Sequence, residues 1–497
     1  MNWIVWWIDY KANSFFLNST MIKLNCFEIN FIKGKVVCMS DIVIQTEASR
    51  LTKSQLNDVL NIDRGYIAQW ANQTKSIGIL IQDPAQFLRV YLAVQSSGYL
   101  PVVLDAKWTS EQLHQILNHY QITHVIADKK IEGVNSLRLE QLNEAETPSS
   151  KKVTSPPDDL LHIGFTSGTT GMPKAYYRNR YSWLVSYDAN DDILNAPPSC
   201  VIAPGPIAHS LTLYAMMYAY HSHCPCYMQM DYHPAQLFHQ LIEHPKAVVF
   251  IVPSVLEQIL QLSTKKLRDI SVTFLTSGAK LEPHTIKRFK ESMPKSQVIE
   301  FFGTSEASFI SYHHVTDYAP KNVGKLFKGV KVILTDDTGQ KLSDPTQIGQ
   351  LHVQSDMVFS GYVDGESISN QDTIATGDYA KMTEDQELIL EGRVNNKVIV
   401  GGMNVYPEEV ERVILETTPI QHVMVTGERH YELGEVLIAY YQTKQPITIR
   451  EIKRDLRQYL ERYKVPMRFI EVPEMLWTNS GKIARKEMDE RYGRKEK

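Results

Sequence analysis

Apolar strand-like runs alternate with helical stretches from about residue 51, and this alternation limits the folds open to the chain. SIGILIQ (76–82), YLPVVLD (99–105) and THVIAD (123–128) are apolar runs typical of buried strands. Helices are predicted between them over residues 85–98 and 109–120, and Thr109 and Gln112 have the spacing of a capping box. Strands that alternate with helices predict a largely parallel sheet with helices on its faces.

The alternation resumes after a polar stretch, residues 129–159, which we interpret as a connector. Strands are predicted for VVFIVP (248–253), SVTFLTSG (271–278) and QVIEFFG (297–303). The last two runs end at a glycine that polar residues follow. Because ligands of open α/β sheets bind beyond the carboxyl ends of the strands, we expect a site at this edge.

Past residue 330 the pattern changes to short strands with polar turns, such as KVILTDD (331–337) and IGQLHVQS (348–355). A smaller mixed unit follows Arg393, with helices predicted over residues 407–417 and 449–460. The sequence therefore predicts an α/β chain. A large N-terminal domain, residues 41–392, has layered, mostly parallel sheets with helices and a small β subdomain, and a small α+β C-terminal domain covers residues 393–497.

Composition narrows the function classes and the compartment. A net charge of -4 over 497 residues gives no basic surface for nucleic acid. Five cysteines do not indicate a disulfide scaffold, which favours the cytoplasm. The aromatic start, MNWIVWWIDY, is too short to span a bilayer and lacks the features of a secretory signal. We interpret residues 1–40 as an extension outside the fold, with peripheral membrane contact as the alternative.

The stretch FTSGTTGMPK (165–174) has the composition of a phosphate-binding loop. Glycines let backbone amides converge on an anion, hydroxyl groups donate to phosphate oxygens, and a lysine adds positive charge. It is not a Walker loop, because Lys174 does not directly follow a glycine and precedes Ala175. The alternative is an ordinary surface turn. The candidate phosphate ligands are Thr166, Ser167, Gly168, Thr169, Thr170, Gly171 and Lys174.

Four further segments follow this loop in order: FFGTSE (301–306), TGD (376–378), GR (392–393) and TNSGKIAR (478–485). With them, the chain resembles the adenylate-forming acyl-CoA synthetase family from about residue 41 to the C terminus. The resemblance implies ATP, Mg²⁺ and coenzyme A as the ligands of a ligase acting on a small carboxylic acid. It also implies that the C-terminal domain is mobile and rotates between two half-reactions.

The resemblance assigns roles to particular residues. It implies that Lys482, Ser305, Glu306 and His209 are catalytic, and that Glu306 also binds Mg²⁺. It implies that Asp378 holds the ribose hydroxyls and that Arg393 contacts ribose or phosphate. The segment TSGAKL (276–281) is similar to the adenine-binding segment. The remaining cofactor-binding residues it implies are Ser277, Gly278, Ala279, Phe302, Gly303, Gly401 and Gly402, the last two lining the pantetheine tunnel.

One departure from the family pattern concerns the hinge. Asn395 stands where the family usually has aspartate or lysine, which raises the question of whether the thioester step is intact.

A separate cluster, HSHCPC (221–226), brings two histidines and two cysteines together. Because structural zinc sites draw on two separated pairs, we favour a strand edge over a metal site there.

Three functions remain open from the sequence. The first is an acyl-CoA ligase that activates a fatty acid. The second is a ligase with the same adenylation step, in which either the acid is an aryl acid such as succinylbenzoate or the acyl acceptor is a carrier protein. The third is a degenerate homologue that binds nucleotide or acyl groups and regulates.

Overall fold

The computed structural model describes residues 41–71, 74–144, 159–166, 172–262, 265–316, 321–477 and 483–493, and the backbone of three strands before them. Those strands are β1 (Ile22–Leu24), β2 (Phe27–Ile32) and β3 (Lys35–Cys38). They form an antiparallel sheet whose pairing, within the described residues, involves no other strand. That residues 1–40 lie outside the fold stays a prediction.

The first part of the main fold contains eight strands and five helices. The strands are β4 (Ile42–Gln45), β5 (Arg50–Thr52), β6 (Ser76–Leu80), β7 (Leu100–Val103), β8 (His124–Ala127), β9 (Asn135–Arg138), β10 (Leu160–Thr166) and β11 (Lys174–Asn179). The helices are α1 (Lys53–Trp70), α2 (Pro84–Ser96), α3 (Ser110–His119), α4 (Leu139–Asn143) and α5 (Arg180–Ile193).

Six of these strands form one sheet in the order β11-β10-β7-β6-β8-β9, and only β11 runs antiparallel to its neighbour. The alternation of strands and helices in the sequence predicted the parallel pairing of β7, β6 and β8. The capping box at Thr109 and Gln112 is confirmed, since the Thr109 hydroxyl accepts from the Gln112 amide. The connector prediction was wrong for residues 135–143, which form β9 and α4.

The second part continues the alternation. Its strands are β12 (Val201–Ala203), β13 (Cys226–Met228), β14 (Val248–Ile251), β15 (Thr273–Thr276), β16 (Gln297–Thr304) and β17 (Ser308–His314). Its helices are α6 (Ser210–His221), α7 (Pro234–Glu243), α8 (Pro253–Gln261) and α9 (Pro283–Ser292). The strand predicted over 248–253 ends earlier, because Pro253 takes the first position of a helix, where its missing N–H costs nothing.

A short-stranded region follows, with β18 (Asn322–Leu326), β19 (Lys331–Thr335), β20 (Gly349–Gln354), β21 (Ile374–Met382) and β22 (Glu387–Arg393). It joins the second sheet, whose order is β19-β20-β21-β22-β18-β17-β16-β15-β14-β12-β13-β4-β5. The strands from β16 to β4 in that order are parallel, and the short-stranded end is antiparallel. This antiparallel end is the small β subdomain that the sequence predicted.

The C-terminal unit has its own sheet and its own core. Its strands are β23 (Val398–Val400), β24 (Met403–Val405), β25 (His422–His430), β26 (Gly434–Gln442) and β27 (Arg468–Glu471). Its helices are α10 (Pro407–Thr417), α11 (Ile449–Leu456) and α12 (Arg485–Tyr492). Buried residues of α10, α11 and this sheet pack together, which makes the unit α+β. No helix in the described parts of the chain is long and apolar enough to cross a membrane.

Candidate active site

The candidate site lies at the carboxyl ends of two neighbouring strands. β15 and β16 are parallel, and each is followed directly by predicted site residues: Ser277 after β15 and Ser305 after β16. Gly278 has a φ of +95°, a backbone conformation that favours glycine. A Cβ at Gly303 would lie 2.1 Å from the carbonyl oxygen of Ser308, so the turn after β16 excludes any side chain there.

The predicted phosphate loop lies between β10 and β11, which pair antiparallel. Thr166 and Lys174 are register partners at its base. Ser167, Gly168, Thr169, Thr170 and Gly171 lie outside the described residues, so their predicted role stays a prediction. Lys174 is exposed, and its Nζ lies 5.5 Å from the centre of the Tyr362 ring.

Tyr362 joins the phosphate loop to the turn after β16. Its hydroxyl donates a 2.6 Å hydrogen bond to Oε1 of Glu306. Residues 357–363, here called the strap segment, run beside both partners. The amide of Phe359 donates to the carbonyl of Glu306 at 2.7 Å, and the amide of Val363 donates to the carbonyl of Ala175 at 2.9 Å. Lys174 and Glu306 therefore both lie beside Tyr362, and their roles in binding the nucleotide stay a prediction.

Arg178 holds the backbone on both sides of this arrangement through hydrogen bonds. Its side chain is buried, and its guanidinium donates to the carbonyl oxygens of Met357 (2.9 Å) and Ser305. Burial lowers the pKa of Arg178, and the nearby Tyr176 and Glu306 oppose that shift. One charged side chain thus contacts the backbone of both the strap segment and the turn after β16.

The helix α6 begins beside the site, next to Tyr176 and His209. Burial raises the pKa of Tyr176, and hydrogen bonding to Ser210 and Ser305 partly offsets that rise. Ser210 begins α6, and His209 is its N-cap residue. Burial also lowers the pKa of His209, while Asp105 opposes the shift. The predicted histidine therefore directly precedes Ser210. Ser210 and Ser305 both lower the pKa of Tyr176.

Asp378 and Arg393 form a second cluster, on β21 and β22. They are register partners, and Arg393 Nε lies 3.1 Å from Asp378 Oδ1. Asp378 is buried, whereas the arginine side chain is half exposed. Arg393 also donates to the carbonyl of Thr376 at 3.2 Å. A carboxylate held by an arginine in this way can accept two hydrogen bonds from adjacent hydroxyl groups.

The predicted residues Asn395, Gly401 and Gly402 lie past Arg393, at the start of the C-terminal unit. Gly401 and Gly402 form the turn between β23 and β24, with φ of +57° and +83°, and Gly401 donates to the carbonyl of Leu433. Asn395 is exposed in a 3₁₀ turn. Lys482 lies outside the described residues, so its catalytic role stays a prediction.

The CPC end of the HSHCPC segment is buried, whereas His223 is exposed. Cys224 and Cys226 are buried free thiols, and Cys226 begins β13. Burial raises the pKa of both thiols, which disfavours the thiolate that zinc needs. The His221 ring stacks on Tyr187 at 4.8 Å.

The donors present fit MgATP. Mg²⁺ prefers hard oxygen ligands, and the Tyr362 hydrogen bond uses only one of the two oxygens of the Glu306 carboxylate. Lys174 would place a positive charge beside the phosphates, and the hydroxyl of Thr166 stands at the same hairpin base. No group of three or more potential metal ligands occurs in the described parts of the chain, so nucleotide phosphates would complete the shell.

Sequence reasoning missed Tyr176, Arg178, Tyr362 and Lys397. Lys397 donates to Asp337 (2.7 Å) and to the hydroxyl of Tyr379 (2.8 Å), joining the start of the C-terminal unit to the β subdomain. Two signals were available: a lone arginine in the run KAYYRN, and Gly361 before Tyr362. Gly361 has a φ of +105°, and a Cβ there would lie 2.3 Å from the Glu366 carbonyl oxygen.

Comparisons with known proteins agree with this geometry. Residues 43–363 match the model of the AMP-binding enzyme family, and residues 409–482 match that of the AMP-binding enzyme C-terminal domain. A protein of Staphylococcus epidermidis named "Putative long chain fatty acid-CoA ligase VraA" is 37% identical over 419 residues, covering 84% of this chain and 88% of the relative.

Two more distant similarities point to the same fold. A 2-succinylbenzoate–CoA ligase of Oceanobacillus iheyensis is 24% identical, covering 83% of this chain and 88% of the relative. The ATP-bound crystal structure of MatB from Rhodopseudomonas palustris is 22% identical and superimposes with a TM-score of 0.80, covering 92% of this chain and 96% of that one. The chain therefore has the adenylate-forming enzyme fold.

Proposed function

The chain belongs to the AMP-binding enzyme family, and we propose that it is an AMP-forming acyl-CoA ligase whose substrate is a fatty acid. The family match and the relatives support the acyl-CoA ligase activity. The fatty-acid substrate is supported by the name of the staphylococcal relative alone. ATP and a carboxylate would give acyl-AMP and pyrophosphate, and coenzyme A would then give acyl-CoA and AMP.

The observation that carries the proposal is the convergence of Lys174 and Glu306 on Tyr362. In the first step a carboxylate oxygen attacks the α-phosphate and pyrophosphate leaves, so negative charge builds up around the phosphate. Such a transition state needs preorganised cations and donors. Lys174 and Lys482 would supply positive charge, and the hydroxyls of the loop would supply donors. Mg²⁺ bound to Glu306 would neutralise phosphate charge.

Nucleotide and acid would approach from the two sides of the Ser305 turn. Ser277, Gly278 and Ala279 would border the adenine, and Asp378 with Arg393 would hold the ribose. His209, with its lowered pKa, would stand beside the acyl carboxylate as a neutral imidazole at neutral pH.

In the second step the thiol of coenzyme A attacks the acyl carbonyl, the bond to AMP breaks, and the thiol proton goes to solvent. The turn at Gly401 and Gly402 would come to the site with residues 393–497 as a lid that turns at Asn395. The free thiols Cys200, Cys224 and Cys226 support a cytoplasmic location.

An aryl acid is the second candidate substrate, because a relative named as a 2-succinylbenzoate–CoA ligase aligns over most of the chain. Acyl transfer to a carrier protein would use the same first step. A regulatory homologue without turnover is the third candidate, since Asn395 departs from the family pattern.

One experiment separates these candidates. Pyrophosphate release would be measured with MgATP across acids from acetate to palmitate and with succinylbenzoate, each with and without coenzyme A. We expect release with one class of fatty acid and acyl-CoA formation when coenzyme A is present. Release only with the aryl acid would replace the proposed substrate. Release without acyl-CoA formation would favour a carrier protein, and no release with any acid would refute the ligase.

A further inference from the structure

We propose that Tyr362 is a positioning residue that holds the Glu306 carboxylate in the orientation that binds the cation of MgATP. The inference rests on the proposed function, and it adds a residue to which the resemblance gives no role. Its basis is one hydrogen bond, from the Tyr362 hydroxyl to Oε1 of Glu306 at 2.6 Å, and the way the structure fixes both partners.

The hydroxyl group of Tyr362 is held in place through its backbone and ring. The strap segment pairs with β11 on both sides of this residue. The amide of Tyr177 donates to the Gly361 carbonyl at 2.9 Å, and the amide of Val363 donates to the Ala175 carbonyl at the same distance. The Tyr362 ring packs edge-on against Phe359, with centroids 5.1 Å apart, and Phe359 is 1% exposed. These contacts hold the hydroxyl beside Glu306.

Glu306 is held less firmly without this hydrogen bond. Its backbone is fixed, because the Glu306 carbonyl accepts from Phe359 and the neighbouring Ser305 carbonyl accepts from Arg178. Its side chain, however, has several staggered rotamers, and its terminal torsion is broad. A hydrogen bond from a neutral hydroxyl to an ionised carboxylate is short and strong. Tyr362 therefore selects one orientation of the carboxylate.

The hydrogen bond from Tyr362 occupies one oxygen of the Glu306 carboxylate and leaves the other for a cation. Oε1 faces the hydroxyl, and a cation can bind through Oε2. Hydrogen-bonded neighbours of metal ligands orient those ligands and tune their basicity, and losing one weakens metal binding by about 10- to 100-fold. Lys174, 5.5 Å from the same ring, would place the phosphates next to that cation. Tyr362 thus lies between Lys174 and the carboxylate that would bind the cation.

The test compares wild type, Tyr362→Phe and a matched control, Tyr99→Phe. The Tyr99 hydroxyl donates to the Ala71 carbonyl, also at 2.6 Å, in a part of the fold that takes no part in the site. Affinity for Mn²⁺ would be measured by electron paramagnetic resonance, with an ATP analogue whose α–β bridge is a methylene group. Melting without ligand would confirm that each variant folds, which we expect because phenylalanine keeps the ring packing.

We expect Tyr362→Phe to bind Mn²⁺ about tenfold more weakly or worse, and Tyr99→Phe to match wild type. In EDTA, all three proteins should bind the analogue alike. The Mg²⁺ concentration for half-maximal pyrophosphate release should rise in Tyr362→Phe, with most of the rate recovered at saturating Mg²⁺. The conservative double change Tyr362→Phe with Glu306→Gln should show no further loss beyond Glu306→Gln alone.

Unchanged Mn²⁺ affinity in a folded Tyr362→Phe protein would overturn the inference. So would an equal loss of analogue binding in EDTA, because that pattern indicates a general disturbance of the nucleotide site. These outcomes differ from a failure of the proposed function, in which wild type releases no pyrophosphate with any acid and yet binds Mn²⁺ and the analogue in the Tyr362-dependent manner described.

Discussion

The guanidinium group of Arg178 donates a hydrogen bond to the backbone carbonyl of Ser305, a residue 127 positions later in the chain. The same group donates to the carbonyl of Met357, and its side chain is 2% exposed. One buried cation therefore joins β11, the turn after β16 and the strap segment. The contact explains how elements from two sheets keep the spacing between Lys174 and Glu306.

Replacing Arg178 with methionine should lower both stability and activity. The buried carbonyl oxygen of Met357 and the partly buried one of Ser305 would lose their donor, and the loss of a buried donor costs about 1–3 kcal/mol. Pyrophosphate release should fall because the Ser305 turn is no longer held. Arg178→Lys should give an intermediate result, since an ammonium lacks the planar fork that reaches two carbonyls. Denaturant unfolding and pyrophosphate release measure the two effects.

The control for this prediction is Arg268→Met. Arg268 is exposed and donates to the carbonyl of Glu291 at 2.9 Å, so its loss should change the free energy of unfolding by about 0.5 kcal/mol or less. An Arg178→Met protein as stable as this control would show that the buried guanidinium holds neither carbonyl.

His162 should make stability depend on pH. It is fully buried, its Nδ1 lies 3.0 Å from the Tyr91 hydroxyl, and burial lowers its pKa from 6.5 to about 3. Because the unfolded chain binds this proton at a higher pH, stability is retained above about pH 6.5 and falls as the pH is lowered toward 3. One proton corresponds to about 1.4 kcal/mol per pH unit in this window.

His162→Phe should therefore flatten the pH dependence of the unfolding free energy between pH 6 and 4. Ile163→Val, in the same strand, is the matched control: it should lower stability by about 0.5–1.5 kcal/mol and leave the slope unchanged. An unchanged slope in His162→Phe would mean that the buried imidazole is not the group that couples folding to pH here.

Lys482→Ala should lower pyrophosphate release by about 10²–10³-fold while leaving nucleotide binding in place. The expected size is that of removing one donor that acts on developing charge. Acid-dependent pyrophosphate release measures this loss, and melting shows whether the fold is intact. Lys486→Ala, on the exposed face of α12, is the control. If Lys482→Ala released pyrophosphate at the wild-type rate, the lysine would have no part in adenylation.

The sequence predicted the strands and their alternation with helices, because apolar periodicity is local, but most predicted strands extend a few residues beyond the observed ones. It predicted that Glu306 and Lys174 share a site only through the resemblance. The residues that join them were missed for a physical reason. Tyr362 and Arg178 act through contacts with residues far away in the chain. The local signals, an arginine in KAYYRN and Gly361 before Tyr362, do not indicate which residues those contacts involve. Pro253 was placed in a strand because the apolar run continues through it.

The contact of Lys397 with Asp337 and Tyr379 should favour the orientation of the C-terminal unit that the structure has. The rotation of residues 393–497 in the proposed thioester step would move Lys397 away from Asp337, so that step requires the contact to break. Lys397→Met removes it. Because Asp337 is half exposed, the pair is worth about 0.2–1 kcal/mol, which corresponds to a rate change of about 1.5- to 5-fold.

We therefore expect Lys397→Met to speed acyl transfer to coenzyme A from preformed acyl-AMP, and to leave the rate of acyl-AMP formation unchanged or lower. Single-turnover measurements of the two half-reactions separate these effects. Lys444→Met, a lysine in the turn after β26, is the control for losing a charge. Slower acyl transfer in Lys397→Met would reverse the argument, because it would mean that this contact assists the thioester step instead of opposing it.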